Sequence, residues 1–551
     1  MATDSSTPAD RPHSPWRRPL RIAAGLFAAW ILLLACITGV PVRLARIVGL
    51  LPPLKGPPFT ISRDTTIVTA PLDADGWPDY NAYLNARNSA GVTPETNAVV
   101  ALRAVLGLSL PPSRETTALD VALGFDPATS TIPALQSPAN LLPHLSPEEQ
   151  ALLISDKVRD ASRSACSTAD SPDLAILIDQ NSAALYALVE GSRRPHWYIP
   201  QLPDRDVPEH HYQPMSLSPL GISEVLYPLR LLTARAIRRD SQRPIRHAID
   251  DLVAVARIGR KLSQDGLFIS IVVGMSLDST AVQGLTDVIM RAAVTEADLD
   301  YLAKEWDRLP PLATPADALE SGERRFMTSQ VVLVAFLVSR GMASDDPAWE
   351  DSLSFVKQMR YAAIDWDVAL RRIQADFDDA ARIARRESRS LRSAGLSRFG
   401  SRIEARAKQY QHWAGLGVGS FLRSATTNGE AVAALTMREL FNTFFFDSDF
   451  THLARQRLLR LAIALRRVHL RTGRFPDSLD ALPAEFAALS RLDPFTDADP
   501  FHYQVTPEGC LLYSVGPNGQ SEQDDVTATP EGSSPDDIVV KLTVPPPDQS
   551  P

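Results

Sequence analysis

Residues Ile22 to Val42 run without a single charged side chain, through Ile-Leu-Leu-Leu at 31–34 to Gly-Val-Pro-Val at 39–42. A helix needs about 20 mostly apolar residues to cross a bilayer core, and this run supplies them. A single-pass transmembrane helix over residues 20–43 is therefore the first expectation. Arg17, Arg18 and Arg21 precede the run, and Arg43, Arg46 and Lys55 follow it, so the charge bias across it is weak. A first signal-anchor with basic residues ahead of it inserts with its short N-terminus inside. That places the anchor in the inner (cell) membrane and the body on the exported, periplasmic side. A buried helix is one other reading, and it would not export the body; two further readings do. Leu33-Leu34-Ala35-Cys36 resembles a lipobox, which would lipidate Cys36, and a cleaved signal peptide is the other. Further on, Val331–Val338 is too short to span, and Leu267–Met290 carries Asp278 and Asp287 with Ser, Thr and Gln between them. Both read as core helices.

A chain of 551 residues exceeds what one hydrophobic core normally serves. Its expected parts are a disordered N-terminus (1–19), the membrane helix, an extended and Pro-rich segment with short helices (44–145), an α-helical body (146–449), a C-terminal helix with a small β module (450–544) and a disordered tail (545–551). The fold class is mainly α, a helical bundle or hairpin array, with a small C-terminal α+β module. Within 44–145, Thr60–Asp79 looks extended, with Thr65–Thr69 β-branched and Asp73–Trp77 a turn. Thr93-Pro94 looks like the capped start of a helix, because proline suits the first helical position. From Ser146, apolar residues recur at three- and four-residue spacing, as in Leu226, Leu229, Leu232, Ala236 and Ile237. The spacing predicts helices over 146–165, 172–190, 218–239, 244–263, 267–292, 296–307, 315–340, 348–389, 401–413, 429–445 and 450–471. The pair 218–239 and 244–263 loosely suggests a TPR-like hairpin, but no period repeats cleanly. After Gly473, the stretch from Phe475 to Leu482 begins a short capped helix. Residues 501–505 and 510–515 then read as a hairpin around Thr506–Gly509, and Ile538–Val544 as a third strand.

No catalytic constellation stands out. The net charge of −9 gives no general affinity for nucleic acid. Three cysteines make neither a disulfide framework nor a zinc set; Cys166 and Cys510 either pair or stay separate thiols. Glu209-His210-His211 lies in a Pro-rich loop that offers no helix to hold two histidines toward one metal. Gly415-Leu-Gly-Val-Gly-Ser420 lacks the strand and the Lys-Ser/Thr ending of a phosphate loop and reads as a helix connector. The arginines from Arg382 to Arg406 follow Asp376, Asp378 and Asp379, so opposite charges can pair there. Asp278, Asp365 and Asp367 sit in apolar helical context without a partner set, and read as helix-face aspartates. The expected function is that of a non-enzymatic envelope scaffold or secretion-linked interaction protein, with the membrane and envelope proteins as partners and no nucleic acid. The alternative is an enzyme acting on envelope or extracellular polymers, with its site in the helical body.

Two stretches carry a family resemblance. Phe59–Thr66, Asp75–Tyr80, Leu84–Arg87 and Gly91–Ala98 resemble the opening of uncharacterised, membrane-anchored proteins of the planctomycete type. Gly473–Leu482, Asp493-Pro-Phe495, Tyr503, Leu511–Gly519 and Asp524-Asp525 resemble the C-terminal module of the same group. More distantly, this end is similar to the globular domain of the type II secretion major pseudopilin, over about the last 80 residues. That resemblance implies a calcium loop, for which Asp493, Asn518, Asp524, Asp525, Asp536 and Asp537 are the oxygen donors at hand; a solvated acidic turn is the other reading. No prepilin cleavage signal accompanies the module, so the resemblance does not extend to filament assembly.

Overall fold

The computed structural model describes residues 56–106, 114–164, 167–202, 215, 222–239, 242–340, 364–410, 424–443, 448–521 and 536–543. The expected membrane helix at 20–43, Cys36, Cys166, Glu209–His211 and Gly415–Ser420 lie outside the described residues. What is described is mainly helical, with one small sheet.

The helices used below are α1 (Tyr80–Asn88), α2 (Ala98–Leu106), α3 (Arg114–Leu123), α4 (Pro172–Gln180), α5 (Ser182–Ser192), α6 (Ile222–Ile237), α7 (Ile245–Leu262), α8 (Phe268–Ile289), α9 (Glu296–Asp307), α10 (Pro315–Glu320), α11 (Gly322–Arg340), α12 (Trp366–Ala384), α13 (Arg389–Tyr410), α14 (Ala425–Thr443) and α15 (Ser448–Thr472). Apolar burial divides them between two cores. One joins α2–α9, α15 and the sheet. The other joins the Phe59–Leu84 region, α10–α14 and the first turns of α8. Helix α8 passes from one core into the other: Ile271 and Met275 belong to the second, while Val273 and Leu277 onward belong to the first.

Helix α8 is the one described helix long and apolar enough to cross a membrane, and 61% of its most apolar window is buried among its neighbours. Its glycines explain how closely α7 and α8 cross. A Cβ on Gly274 would lie 2.5 Å from the Gly259 carbonyl oxygen, and one on Gly259 would lie 3.0 Å from the Gly274 oxygen. Only backbone without side chains on both sides permits this approach. Cations tie off the helix ends. Lys261 Nζ donates to the carbonyls of Ser192 and Arg194 beyond α5, and Arg466 donates to the carbonyls of Ile289 and Arg291 at the end of α8. These carbonyls lack intrahelical donors, and the negative end of the helix dipole favours a cation there.

The C-terminal sheet is antiparallel, in the order β1 (His502–Thr506), β2 (Gly509–Ser514), β3 (Ile538–Thr543). Val505 pairs with Cys510, and Cys510 with Leu542. Along β3, Ile538, Val540 and Leu542 point into the first core, and Lys541 and Thr543 point out. The module also reaches the second core: Asp497 accepts hydrogen bonds from Arg389 N, Ser390 N and Ser388 Oγ, capping α13. Cys510 is a buried free thiol, pushed up to about 12 by desolvation.

Several expectations need correction. Thr60–Thr69 is not extended. Thr65 and Thr66 donate their hydroxyls back to the Ser62 carbonyl, and Ile67 adopts a left-handed φ of 62°. Local side-chain bonds outcompete β propensity there. Helix α2 starts at Ala98 and not at Thr93, because Asn97 Oδ1 accepts from Val99 N while Thr93–Thr96 closes its own turn. The predicted helix at 172–190 breaks at Asn181, and the one at 315–340 breaks at Ser321. Residues 475–482 form only a 3₁₀ turn, Leu479–Ala481. Helix 296–307 and the three strands stand where the patterning puts them, to within a residue or two.

Candidate functional site

Asp278 is fully buried at the middle of α8. Its Oδ1 accepts from Arg260 Nε of α7 at 2.5 Å, and its Oδ2 accepts from Gln456 Nε2 of α15. Gln456 in turn takes a hydrogen bond from Trp306 Nε1 of α9 at 2.7 Å, and the Arg260 guanidinium lies 4.9 Å from the Trp306 ring centroid. Four helices thus share one buried polar knot. His452, one turn before Gln456, places Nδ1 3.2 Å from Asp278 Oδ2 without hydrogen-bond geometry. Burial holds its imidazole below the ordinary range, and the Asp278 carboxylate pulls the other way.

His452 also lines a cavity of about 860 Å³ between α8, α15 and β3. Drug-sized ligand sites occupy this size range. The wall from α8 carries a polar stripe, Ser276, Ser279, Thr280, Gln283 and Asp287, flanked by Val272, Met275 and Val282. Spacing of three and four residues keeps them on one face, and the rest of α8 packs into the cores. Opposite lie Ile538–Lys541 of β3, the last strand in the sheet order, with Asp537 just ahead of it. Arg455 Nη1 donates to Ser279 Oγ at 2.7 Å, and burial holds this guanidinium below its usual range.

Two further spaces share lining residues with this cavity. A narrower chamber of about 210 Å³ shares Arg163, Val272, Ser276 and Thr280 with it and adds Arg159 and Arg230. A wider one of about 1010 Å³ shares Asp287 and is lined by Arg239, Arg243, Arg246, His247 and Arg291. Some of these cations are paired, Arg243 with Asp251 and Arg246 with Asp298. Arg163, Arg230 and Lys541 have no carboxylate within salt-bridge distance among the described residues. Burial first, and then the charges of Arg163 and Arg159, hold Arg230 below its usual range.

The calcium donors expected from the C-terminal resemblance take separate tasks. Asp493 is buried and spends its oxygens on Phe495 N, Ser514 Oγ and Val515 N. Asp536 Oδ2 accepts from Asn518 N at 2.9 Å, which joins these two across the 516–519 turn. Asp537 lines the cavity, and Asp524 and Asp525 lie outside the described residues. Among the described residues no three His, Cys, Asp or Glu side chains form a metal-sized group. Asp365 caps α12 through Val368 N, and Asp367 accepts from Thr60. The arginine run finds acids on neighbouring helices: Arg406 and Arg402 meet Asp376 and Asp379, Arg385 meets Glu320, and Arg392 meets Asp449.

Sequence reasoning saw Asp278 and the polar residues of α8 but not the cleft. The signal was there as a Ser276–Asp287 stripe on an otherwise apolar helix. Its partners come from residues 159–163, 230, 452–455 and 537–541, which no local pattern links. No family model matches the chain, and neither a curated protein nor a solved structure matches it.

Proposed function

We propose that this chain is a membrane-anchored, exported protein that binds a ligand in the α8 cleft and does not convert it. Residues 22–42 are the anchor, and the pseudopilin-like end closes one side of the cleft. One observation carries the reading. The carboxylate beneath the cavity, Asp278, has both oxygens engaged by Arg260 and Gln456 and so is not available as the base, while Arg163, Arg230 and Lys541 of the cleft walls lack carboxylate partners among the described residues. General base catalysis needs an unspent acceptor within reach of the proton it takes. Binding needs only unspent donors.

A photocrosslinking residue placed at Gln283, in the cleft, is expected to capture an envelope component in intact cells. The same residue at exposed Leu391, on α13, is expected to capture nothing in common with it. Identical adducts at both positions, or none at Gln283, would remove the cleft from the function. The second reading, an enzyme acting on envelope polymers, draws on His452, which lies against Asp278 and lines the cavity. If it holds, His452→Ala abolishes turnover of a cleft-bound glycan while leaving its capture from Gln283 intact.

A further inference from the structure

We propose that the narrow end of the cleft is an oxyanion seat for the phosphate ester of a phosphorylated polyol or saccharide, whose hydroxyl-bearing body lies in the main chamber. This rests on the reading that the cleft binds a ligand, and it names the ligand's class. The narrow chamber is lined by Arg159, Arg163 and Arg230, by the hydroxyl residues Ser162, Thr233, Ser276 and Thr280, and by five Leu and Val side chains. Arg159 has its own acids, Asp156 and Asp160. Arg163 and Arg230 have none among the described residues. Cations gathered in this way repel one another until an anion joins them; burial first, and then the charges of Arg163 and Arg159, hold Arg230 below its usual range. Guanidinium groups present paired N–H donors that match two oxygens of a phosphate, so a small arginine-lined chamber selects a tetrahedral oxyanion over chloride.

The adjoining chamber fits what a phosphate would carry. Ser276 and Thr280 belong to both spaces, and the stripe continues through Ser279, Gln283 and Thr286, with Thr451 and Ser448 opposite. Thr280 and Thr286 donate their hydroxyls to the Ser276 and Val282 carbonyls and Gln283 Nε2 donates to the Arg163 carbonyl, which leaves their oxygens as acceptors for the hydroxyls of a ligand. Among the described residues the chamber's lining contains no Phe, Tyr or Trp, which disfavours a flat aromatic ligand such as a nucleobase. The chain's net charge of −9 means the cations of the cleft are a local concentration and not a general surface property. Local fields of this kind attract anions and weaken with salt.

Calorimetric titration of the full chain with four probes tests the proposal: glucose 6-phosphate, inorganic phosphate, inorganic sulfate and glucose. Glucose 6-phosphate is expected to bind roughly tenfold or more tighter than either inorganic anion, which is about one decade in Kd. Glucose is expected not to bind, and the sugar phosphate's affinity to fall as ionic strength rises. The double variant Arg163→Gln/Arg230→Gln should weaken binding of the sugar phosphate at least about tenfold, whereas Arg382→Gln on α12 should leave it unchanged. Circular dichroism melting confirms that the variants are folded. No binding of any anion, equal affinity for phosphate and its sugar ester, or indifference to the double variant would each overturn the proposal. Capture of an envelope component from Gln283 separates the two levels. If it persists while the anions fail, the ligand class is wrong and the cleft reading stands; if both fail, the cleft reading falls too.

Discussion

At Asp278 an anion is held wholly out of water, which is costly unless every lone pair is answered. Arg260 donates to one of its oxygens and Gln456 to the other, and Trp306 holds Gln456 in place. Asp278→Ala strands the Arg260 charge and should cost about 3–5 kcal/mol in a urea unfolding experiment. The double variant Arg260→Met/Asp278→Leu removes both charges and should recover most of that loss. Equal destabilisation by the single and the double variant would show that packing, and not charge, holds this knot. Asp265 makes a second residue-scale prediction. The residue is exposed as a whole, but its oxygens accept from Leu267 N and Ser270 Oγ at the start of α8, and burial pushes its carboxyl up to about 6. Burial pushes the neighbouring Glu323, which accepts from Phe268 N, in the same direction. A folded value above the ordinary 3.8 means that the folded state binds this proton more tightly. The stability it contributes is then complete below about pH 4 and lost as pH rises through 6. Asp265→Asn should therefore gain in melting temperature over the parent progressively between pH 4 and 7. A constant difference across that range would refute the shift.

Helix α8 shows how an element can pass for a membrane span and serve as a scaffold instead. Length and hydropathy meet the requirement, but the polar stripe from Ser276 to Asp287 belongs to a cleft wall, and the remaining faces belong to two cores. The crossing with α7 depends on paired glycines, which is why Gly274 has no substitute. Gly274→Ala drives a methyl into the Gly259 carbonyl and should cost about 1–3 kcal/mol or more, because backbone cannot step aside as a side-chain tip can. Gly284→Ala meets the methyl ends of Leu252 and should cost less. Urea midpoints of the two variants give the comparison, and the reverse order would refute the crossing argument. Helix ends were less legible than helix bodies. The break at Ser321 follows from a close approach: a Cβ on Gly322 would meet the Gly266 carbonyl oxygen at 2.5 Å. Nothing in the local sequence between Pro315 and Arg340 announces that contact.

Across the whole molecule, the C-terminal sheet is part of the main core and not an appendage. Phe475, Phe486, Phe495, Phe501, Leu512, Val540 and Leu542 are buried in the same cluster as α7, α8 and α15. A chain ending at Thr472 should expose that face, bind a hydrophobic dye and lose its cooperative melting transition. A truncated chain that still melts sharply would mean that the helices hold their core unaided. The same docking forms the cleft, since β3 supplies one wall and α8 the other.

What could be read along the chain was whatever repeats locally: the apolar run at 22–42, the helical class, the bodies of most helices after Ser146 and the hairpin between Phe501 and Val515. The expected helices 348–389 and 401–413 divide instead as Trp366–Ala384 and Arg389–Tyr410. What could be read follows from period and propensity, which are short-range properties. The cleft, the Asp278 knot and the division into two cores depend on contacts between distant residues: 120 positions separate Arg163 from Gln283, 178 separate Asp278 from Gln456, and Lys541 shares the cavity with Ser279. Such contacts depend on which helix faces meet, and hydrophobic burial is non-directional until packing selects the faces. Only the tertiary structure could therefore place the unpaired arginines and the hydroxyl stripe around one space.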